Sequence, residues 1–271
     1  MEKNNLIFGF IGTGNMGGAL ARAVRRRMEG SQILLANRSP EKACLLAEEL
    51  GASVVSNCDA ACQADYLFLG VKPQMMEGML KEINPALAQR RTPFVLVTMA
   101  AGLTIDRIRE MAGGKAYPVI RIMPNTPVAV GEGMVLYTCS GNVTEESRNF
   151  FLDACAEAGQ FSDIAESGID AGSAVAGCGP AFADMFLEAM ADGGVACGLS
   201  RAQALKFAAQ MMTGAARLAL ETGQHPGALK DAVCSPGGAT IQGVRKLEEA
   251  GFRGAVMNAV IAAYEKTLEL K

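Results

Sequence analysis

Three glycines near the amino terminus have the spacing of a phosphate-binding turn. Residues 12–17 read Gly-Thr-Gly-Asn-Met-Gly, between a short apolar run and a segment of helical character at 19–28. Strand, glycine turn and helix in this order open a dinucleotide-binding Rossmann unit, although another α/β protein can also carry such a turn. We assign the sharp turn to Gly12, the approach of a pyrophosphate to Gly14 and close helix packing to Gly17. The free N–H groups of the helix would then face the anion.

The end of the next predicted strand, at 32–36, indicates which dinucleotide suits the site. Folds that prefer NAD place an acidic residue about 20 positions after the glycine fingerprint, where it binds the adenine ribose. Here that position is Asn37, followed by Arg38 and Ser39. A guanidinium and a hydroxyl can bind a 2′-phosphate, and no carboxylate repels it. The sequence therefore favours NADPH, with NADH as the second candidate; Ser39 also fits the N-cap of a helix starting at Pro40.

A wholly apolar strand is predicted at 66–71. Its last residue is Val71, and Lys72 and Pro73 follow it. Ligands of doubly wound sheets bind beyond the carboxyl ends of the strands, so these three residues are placed to contact the cofactor. A solvated loop lysine is an equally good interpretation of Lys72.

Two further strand ends carry small or polar residues to the same predicted edge. Ala100 and Ala101 follow the strand at 93–99, and small residues there leave room for a flat ring. Asn125 follows the strand at 117–122 and is enclosed by two prolines, which predicts a rigid turn.

A second glycine-rich stretch, Ser-Pro-Gly-Gly-Ala-Thr at 235–240, lies near the carboxyl terminus. Ser-Pro-Gly-Gly cannot form the interior of a helix, whereas the following residues have helical character. We therefore expect free backbone N–H groups at Gly238, Ala239 and Thr240. Such a cluster can hold a carboxylate or a phosphate. An ordinary glycine-led helix start, with Thr240 as a capping hydroxyl, is the alternative.

The chain lacks the usual groups of an alcohol dehydrogenase. Removal of a hydroxyl proton needs a metal or a base with a pKa near neutrality. The one histidine, His225, lies in Gln-His-Pro-Gly and fits a helix start, and the eight cysteines show no zinc spacing, so we predict no metal. A C=N acceptor asks less, because an iminium can arrive protonated and a hydroxyl such as that of Thr240 can donate a hydrogen bond.

The predicted elements change character near residue 163. Residues 1–163 alternate strands with helices, which predicts an α/β Rossmann-type domain with a doubly wound, mostly parallel sheet. Residues 164–271 predict helices alone, several of them apolar around most of their circumference. We therefore expect an all-α domain that forms an intertwined dimer and can support a higher oligomer. The other predicted helices that matter below lie at 40–50, 75–83, 145–158 and 253–270, with a strand at 133–139.

Charge and composition exclude several classes of partner. The 271 residues have a formal net charge of −3 and no long basic tract, which predicts neither nucleic acid nor an anionic membrane as partner. No apolar run reaches the roughly 18 residues of a membrane span. The first five residues lead into a strand rather than a signal peptide. We expect a cytoplasmic protein that acts on a small molecule.

Taken in order, these stretches resemble one family over nearly the whole chain. The motifs are GFIGTGNMGGAL, NRS, LFLGVKPQ, TMAAG, IRIMPNTP, AGCGPAF, ADGGVACGLSRAQA and KDAVCSPGGATIQGV, and they are similar to those of the pyrroline-5-carboxylate reductases. The resemblance implies a Rossmann domain followed by a helical domain that interlocks with that of its mate. It also implies the last step of proline synthesis, in which a nicotinamide hydride reduces the ring imine of L-1-pyrroline-5-carboxylate to L-proline.

The resemblance implies roles for individual residues. Thr240 matches the family's hydrogen-bond partner of the imine nitrogen, and Gly238, Ala239 and Thr240 match its carboxylate-binding backbone. Ser235 and Gly237 of the same motif, together with Glu166, complete the expected substrate set. The expected cofactor contacts are Gly12, Thr13, Gly14, Asn15, Met16, Gly17, Asn37, Arg38, Ser39, Asn57, Val71, Lys72, Pro73, Ala100, Ala101 and Asn125.

One departure from the family pattern affects the expected substrate contacts. Where the family commonly shows SGSGPAY, residues 176–182 read AGCGPAF, which loses two hydroxyls and a phenol. Any of these hydroxyls that positions substrate in the family is therefore missing here.

Two other functions stay open at this point. A β-hydroxyacid dehydrogenase would use a lysine of the helical domain, but Lys206 lacks the Gly-x-x-x-Lys-x-x-Asn setting of that family. A non-enzymatic dinucleotide-binding redox sensor would keep the glycine fingerprint and have no reason to keep a carboxylate cradle.

Overall fold

The computed structural model describes residues 6–269, and within them eight strands form one sheet in the order β3-β2-β1-β4-β5-β6-β7-β8. Its strands are β1 (Phe8–Ile11), β2 (Ile33–Ala36), β3 (Ser53–Val54), β4 (Tyr66–Leu69), β5 (Val95–Thr98), β6 (Val119–Met123), β7 (Gly133–Cys139) and β8 (Gly159–Asp163). All neighbours are parallel except β6 and β7, which are antiparallel. The strand order reverses between β1 and β4, which confirms the predicted doubly wound sheet.

Twelve α-helices lie within the part of the chain that the structure describes. Those connecting the strands are α1 (Asn15–Arg25), α2 (Pro40–Leu50), α3 (Asn57–Gln63), α4 (Pro73–Gln89), α5 (Ile105–Met111) and α6 (Glu145–Ala154). After the sheet come α7 (Ile169–Gly172), a π-helical segment (Ser173–Gly177), α8 (Gly179–Ala196), α9 (Arg201–Thr222), α10 (Pro226–Ala232), α11 (Ala239–Glu249) and α12 (Phe252–Leu268). The run of helices after the sheet confirms the predicted fold class.

The central strands of the sheet are buried on both faces. Phe10 and Phe68 stack with their ring centroids 4.4 Å apart on one face, whereas Leu67 and Leu69 belong to the core on the other. Alternate residues of a strand point to opposite faces, so a strand covered on both sides must be apolar throughout. Burial of each such side chain stabilises the fold by about 1.5–3 kcal/mol. This double burial explains why the central strands are continuous apolar runs in the sequence.

The chain divides into two compact units. The first unit runs to Gly177 and also includes the end of α12 from Tyr264, and the second unit is Cys178–Ala263. In the first unit, Ile169 is fully buried with Met123 and Leu136, so the segment after β8 still packs on the sheet. The boundary predicted after residue 163 stays a prediction. The predicted ends at residues 1 and 271 lie outside the described residues, as does Leu270 of the last predicted helix.

Several elements differ from the predicted bounds for identifiable reasons. The helix predicted at 19–28 spans Asn15–Arg25, so that Gly17 and Gly18 lie inside it. The helix predicted at 75–83 runs through Pro85 to Gln89, and Leu87 beyond the proline is buried. The helix predicted to reach residue 158 ends at Ala154 and continues as a 3-10 turn. The strand predicted at 133–139 and the helix predicted at 40–50 are found with the predicted bounds.

Candidate functional site

The carboxyl ends of four parallel strands form one row across the sheet. Ile11 is in register with Ala36 of β2 and with Leu69 of β4, and Leu69 is in register with Thr98 of β5. The chain leaves the sheet within a few residues of each of these positions. The glycine turn and residues 37–39, 71–73 and 100–101 therefore follow the same edge of the sheet, as the parallel topology requires.

Two glycines fix the path of the turn after β1. Gly12 has φ +97°, and a Cβ on it would lie 2.6 Å from the carbonyl carbon of Gly70. A Cβ on Gly17 would overlap the carbonyl oxygen of Gly12, so α1 packs directly on the turn. Only glycine fits both positions. The turn and packing roles predicted for Gly12 and Gly17 are confirmed, and Gly70, which the sequence prediction missed, is the third member of this contact.

The start of α1 is open on the side of Gly14. A Cβ on Gly14, the N-cap, would meet no heavy atom within 4 Å, and no side chain caps the helix. Thr13 is 7% exposed, and its hydroxyl has no hydrogen-bond partner among the described residues. The first turn of α1 holds no acidic side chain, and its leading N–H groups lack intrahelical partners. These features fit a pyrophosphate, because the helix start presents only donors to it.

The end of β2 is tied to this turn by Asn37. Its Oδ1 accepts the N–H of Thr13 at 3.3 Å, and its Nδ2 donates to the carbonyl of Ser39 at 3.0 Å. Arg38 is exposed and has no charged partner within residues 6–269. Ser39 occupies the N-cap position before Pro40, but its hydroxyl caps no N–H group. The guanidinium and the hydroxyl therefore stay available to a phosphate.

The predicted contacts after β3 and β4 differ in how they are held. Asn57 starts α3 and donates to both carboxylate oxygens of Glu82, at 3.3 and 3.1 Å. Lys72 is the exposed N-cap residue of α4 and has no charged partner in the part of the chain described, with Pro73 following at N1. Val71 is half-buried beside it. Both interpretations of Lys72 stay open.

The predicted contacts after β5 are two small alanines, and the one after β6 already makes hydrogen bonds within the chain. Ala100 is buried and Ala101 exposed. Asn125 is 8% exposed; its Oδ1 accepts the N–H of Met134 at 2.9 Å, and its Nδ2 donates to the carbonyl of Ala176 at 2.9 Å. Asn125 thus braces the turn after β6 against the π-helical segment. Its predicted contact with the cofactor remains a prediction.

Glu166 belongs to a charged cluster that the sequence prediction missed. Its Oε1 accepts the N–H of Ile105 at 2.7 Å and lies 3.1 Å from Nη1 of Arg121. Nη2 of Arg121 lies 3.4 Å from Oδ1 of Asp170. A charged residue inside the apolar strand VIRIM was the available signal, because such a side chain needs buried partners.

The second unit carries the other glycine-rich loop. The N–H of Gly238 donates to the carbonyl of Ser235 at 3.0 Å, so the expectation of a free N–H at this residue was wrong. Gly237 closes the turn with φ +70°. Ala239 and Thr240 are the first two residues of α11, which no side chain caps, and Thr240 is exposed. Of the three N–H groups predicted to be free, those of Ala239 and Thr240 therefore remain without an intrahelical partner.

The remaining residues that could carry acid, base or metal chemistry are hydrogen-bonded within the chain or have a pKa raised by burial. Nδ1 of His225 accepts the N–H of Gly227 at 3.0 Å, which confirms that it caps a helix start. Asp231 raises the pKa of Lys230, chiefly by a side-chain hydrogen bond. Burial raises the pKa of the Cys139 thiol to about 11 and that of Cys155 further. Across residues 6–269 no cluster of three metal-ligating side chains occurs, and no helix is long and apolar enough to cross a bilayer.

Comparison with known proteins gives one family over the full length. Residues 166–270 match the family described as pyrroline-5-carboxylate reductase dimerisation, and residues 7–102 match the one described as NADP oxidoreductase coenzyme F420-dependent. The chain is 42% identical to pyrroline-5-carboxylate reductase of Escherichia coli, covering 100% of this chain and 99% of the relative. It is 39% identical to that of Pisum sativum, covering 99% and 97%.

Solved structures agree with these relatives. Pyrroline carboxylate reductase of Plasmodium falciparum with NADP bound is 32% identical, with a TM-score of 0.87 and 98% of each chain covered. Pyrroline-5-carboxylate reductase of Coxiella burnetii is 30% identical, with a TM-score of 0.89 and 99% of each chain covered.

Proposed function

The chain belongs to the pyrroline-5-carboxylate reductase family, and from this premise we propose how its own residues carry the reaction. It is an oxidoreductase that reduces the C=N bond of L-1-pyrroline-5-carboxylate to L-proline, the last step of proline biosynthesis, with NADPH as cofactor. Bound NADPH supplies the hydride. The comparisons favour neither a β-hydroxyacid dehydrogenase nor a non-enzymatic redox sensor.

The first unit holds the cofactor in this proposal. The residues from Gly12 to Gly17 bind the pyrophosphate, for which the open side of Gly14 and the unpartnered hydroxyl of Thr13 are the support. Arg38 and Ser39 bind the 2′-phosphate as charge-assisted and neutral donors. The remaining proposed contacts are Asn37, Asn57, Val71, Lys72, Pro73, Ala100, Ala101 and Asn125.

The start of α11 holds the substrate in this proposal. The N–H groups of Ala239 and Thr240 donate to the substrate carboxylate, and the helix dipole favours that charge. Ser235, Gly237 and Gly238 shape the turn beside it, and Glu166 completes the substrate set. The observation that carries this assignment is an 11-residue helix whose start has no side-chain cap.

Thr240 is the proposed catalytic residue. Its hydroxyl donates a hydrogen bond to the lone pair of the neutral imine nitrogen, and a proton from solvent reaches this nitrogen as the adjacent carbon accepts the hydride. The step needs no strong acid from the chain, and positioning supplies most of the rate enhancement. The engagement of His225 as a helix cap supports this choice, because the single histidine of the chain already has a structural partner.

The second unit forms a homodimer in this proposal, through the helices α8 to α12, with a higher oligomer as an extension. Phe207 and Leu220 of α9 are 54% and 82% exposed on the single chain, and Met257 of α12 is 60% exposed. Exposed apolar surface of this extent is typical of an interface. We also place the protein in the cytoplasm, which its eight free thiols support.

The test is to replace Thr240 and follow the absorbance of the reduced cofactor with pyrroline-5-carboxylate. We expect Thr240→Ala to lower kcat by about 10- to 1000-fold, the range for one lost transition-state hydrogen bond. Thr240→Ser should restore most of the activity because it keeps the hydroxyl. Thr222→Ala, at the end of α9, is the matched control and should retain wild-type kinetics. An unchanged kcat/KM in Thr240→Ala would remove Thr240 from the mechanism.

A further inference from the structure

Arg121 is a buried charge in the first unit. It is 2% exposed within β6, between apolar neighbours, and its Nε has no hydrogen-bond partner among the described residues. Its guanidinium faces two carboxylates, those of Glu166 and Asp170. A buried ion pair is often no more stabilising than apolar residues of the same volume. The cluster therefore calls for a role beyond stability.

Glu166 connects this arginine to the loop after β5. The same oxygen that faces Arg121 accepts the N–H of Ile105, the first residue of α5. The loop at 100–104 lies between the end of β5 and this bond. Thr98 at the end of β5 is in register with Arg121, so the loop is held on one side by the sheet and on the other by Glu166.

Few other hydrogen bonds hold the loop, in which Ala100 and Leu103 pack on the apolar core and the N–H of Ala100 donates to Oγ1 of Thr98 at 3.5 Å. Its own backbone bond, from the N–H of Leu103 to the carbonyl of Ala100, is 3.4 Å long, and Gly102 has φ +76°. Thr104 caps α5 through the N–H of Arg107, which orders the helix rather than the loop. The bond from Ile105 to Glu166 is thus the strong contact at the far end of the loop, since it is short and accepted by a carboxylate.

We propose that Arg121 is a positioning residue, which holds Glu166 against the start of α5 and thereby fixes the loop that carries Ala100 and Ala101. The inference rests on the proposed function, because Ala100 and Ala101 are its cofactor contacts. Arg121 contacts neither cofactor nor substrate in this scheme. It orders the loop backbone to which the cofactor binds. Misplacement of that backbone by about 1 Å can cost 100-fold in rate.

The chain offers a matched control in Arg90, a second buried arginine. Its side chain is 4% exposed, it pairs with Asp65, and it donates to the carbonyls of Ala61 and Ala64 before β4. Arg90→Met removes a buried guanidinium without touching the loop at 100–104. It therefore reports the cost in stability alone.

The experiment compares NADPH affinity, thermal stability and amide hydrogen exchange without substrate. Both Arg121→Met and Arg90→Met should lower Tm. Only Arg121→Met should raise the Kd for NADPH, by about 10-fold, and accelerate exchange in a peptide covering 100–105. Arg121→Lys should recover part of the affinity, since one ammonium can still face Glu166. Glu166→Gln keeps an acceptor for Ile105 and loses the charge. Its Kd for NADPH should lie between those of Arg121→Met and Arg121→Lys.

The outcomes separate this inference from the proposed function. Wild-type protein that fails to bind NADPH contradicts the proposed function. Wild-type binding together with an unchanged Kd and unchanged exchange in Arg121→Met overturns the positioning role alone. If Arg121→Met does not fold, the NADPH Kd and the amide hydrogen exchange of Arg121→Lys and Glu166→Gln test the positioning role instead.

Discussion

The two units of the chain differ in how they bury apolar side chains. Every residue of β1, β2, β4, β5 and β6 is buried in the first unit. In Cys178–Ala263, the described residues classed as buried are three alanines, Ala191, Ala204 and Ala208. The first unit therefore builds a complete core within one chain. The second unit has the composition of a core and leaves most of it uncovered.

Packing within the second unit shows what one chain can achieve there. The helices α8 and α9 approach closely where a Cβ on Gly194 would lie 2.9 Å from the Cβ of Ala204. Large side chains such as Met185, 71% exposed, take no part in that contact. Small residues thus bring the two helices together, while large apolar side chains such as that of Met185 stay exposed. This arrangement is expected of a helical surface that a second copy covers.

The largest expected effect tests this difference directly. Phe207→Glu places a charge on the exposed apolar face of α9, whereas Leu45→Glu does the same on α2, where Leu45 is 69% exposed. We expect Phe207→Glu to dissociate the proposed dimer and to lower activity by at least 100-fold, since burial of an unpaired charge is strongly unfavourable. Leu45→Glu should leave both unchanged. Size-exclusion chromatography with light scattering measures the mass, and a Phe207→Glu dimer of wild-type stability would contradict the proposed interface.

The same difference explains which parts of the fold the sequence could predict. Strands such as β4 and β5 are covered on both faces, so each leaves an apolar run that marks it. Within residues 6–269 the strand β8 pairs only with β7, and its residues, Gly-Gln-Phe-Ser-Asp, are half-buried or exposed. Because no apolar run results, nothing in its composition distinguishes it from a loop. The helix α3, which begins at Asn57, is short and was likewise not predicted.

The site was predictable where topology alone decides the position. Residues that follow parallel strands must share one edge, so the glycine turn and residues 37–39 could be assigned to it in advance. Long-range partners could not be found this way: Arg121 meets carboxylates 45 and 49 residues further along the chain. The engaged N–H of Gly238 was also hidden, because it depends on the backbone path of the loop from Ser235.

The next largest effect is expected at the close contact between Gly17 and Gly12 in the first unit. Gly17→Ala should abolish measurable NADPH binding and lower stability by about 1–3 kcal/mol, because its methyl group overlaps the carbonyl oxygen of Gly12. Gly78→Ala on α4 is the matched control, since a Cβ there meets nothing within 4 Å. It should gain about 0.5–1 kcal/mol in stability, as expected for alanine in an exposed helix. Urea unfolding and NADPH fluorescence measure the two effects, and normal binding in Gly17→Ala would contradict the proposed turn.

A smaller effect is expected on cofactor preference. Asn37→Asp keeps the acceptor for the N–H of Thr13 but loses the donor to the carbonyl of Ser39. The new carboxylate repels a 2′-phosphate and accepts a hydrogen bond from a free 2′-hydroxyl. We expect kcat/KM to fall about 10-fold with NADPH and to rise with NADH, a change of about 1.4 kcal/mol for the former. Asn142→Asp, at the other edge of the sheet, is the control; equal changes with both cofactors would exclude a role for Asn37 in the choice.

The smallest expected effect tests whether the core of the first unit is closed to solvent without help from a partner. The hydroxyl of Tyr66 donates to the carbonyl of Ser147 at 2.9 Å, and burial raises the pKa of Tyr66 to about 12. The folded state therefore keeps a proton that the unfolded state loses near pH 10, so the stability due to Tyr66 is full below pH 10 and is lost as the pH rises towards 12. Tyr66→Phe should cost about 1 kcal/mol at pH 7, where the hydrogen bond is lost.

At pH 11 this difference should shrink, because phenylalanine carries no proton to lose. Urea unfolding of both proteins at pH 7 and pH 11 measures it, and the same pH dependence in Tyr66→Phe as in the wild-type protein would show that the ring is reached by solvent. Tyr117 and Tyr137 also have pKa values raised by burial, so the wild-type protein loses stability from several groups, and the comparison of the two proteins isolates Tyr66. A closed core around Tyr66 in a dissociated Phe207→Glu variant would mean that the first unit folds without a partner copy.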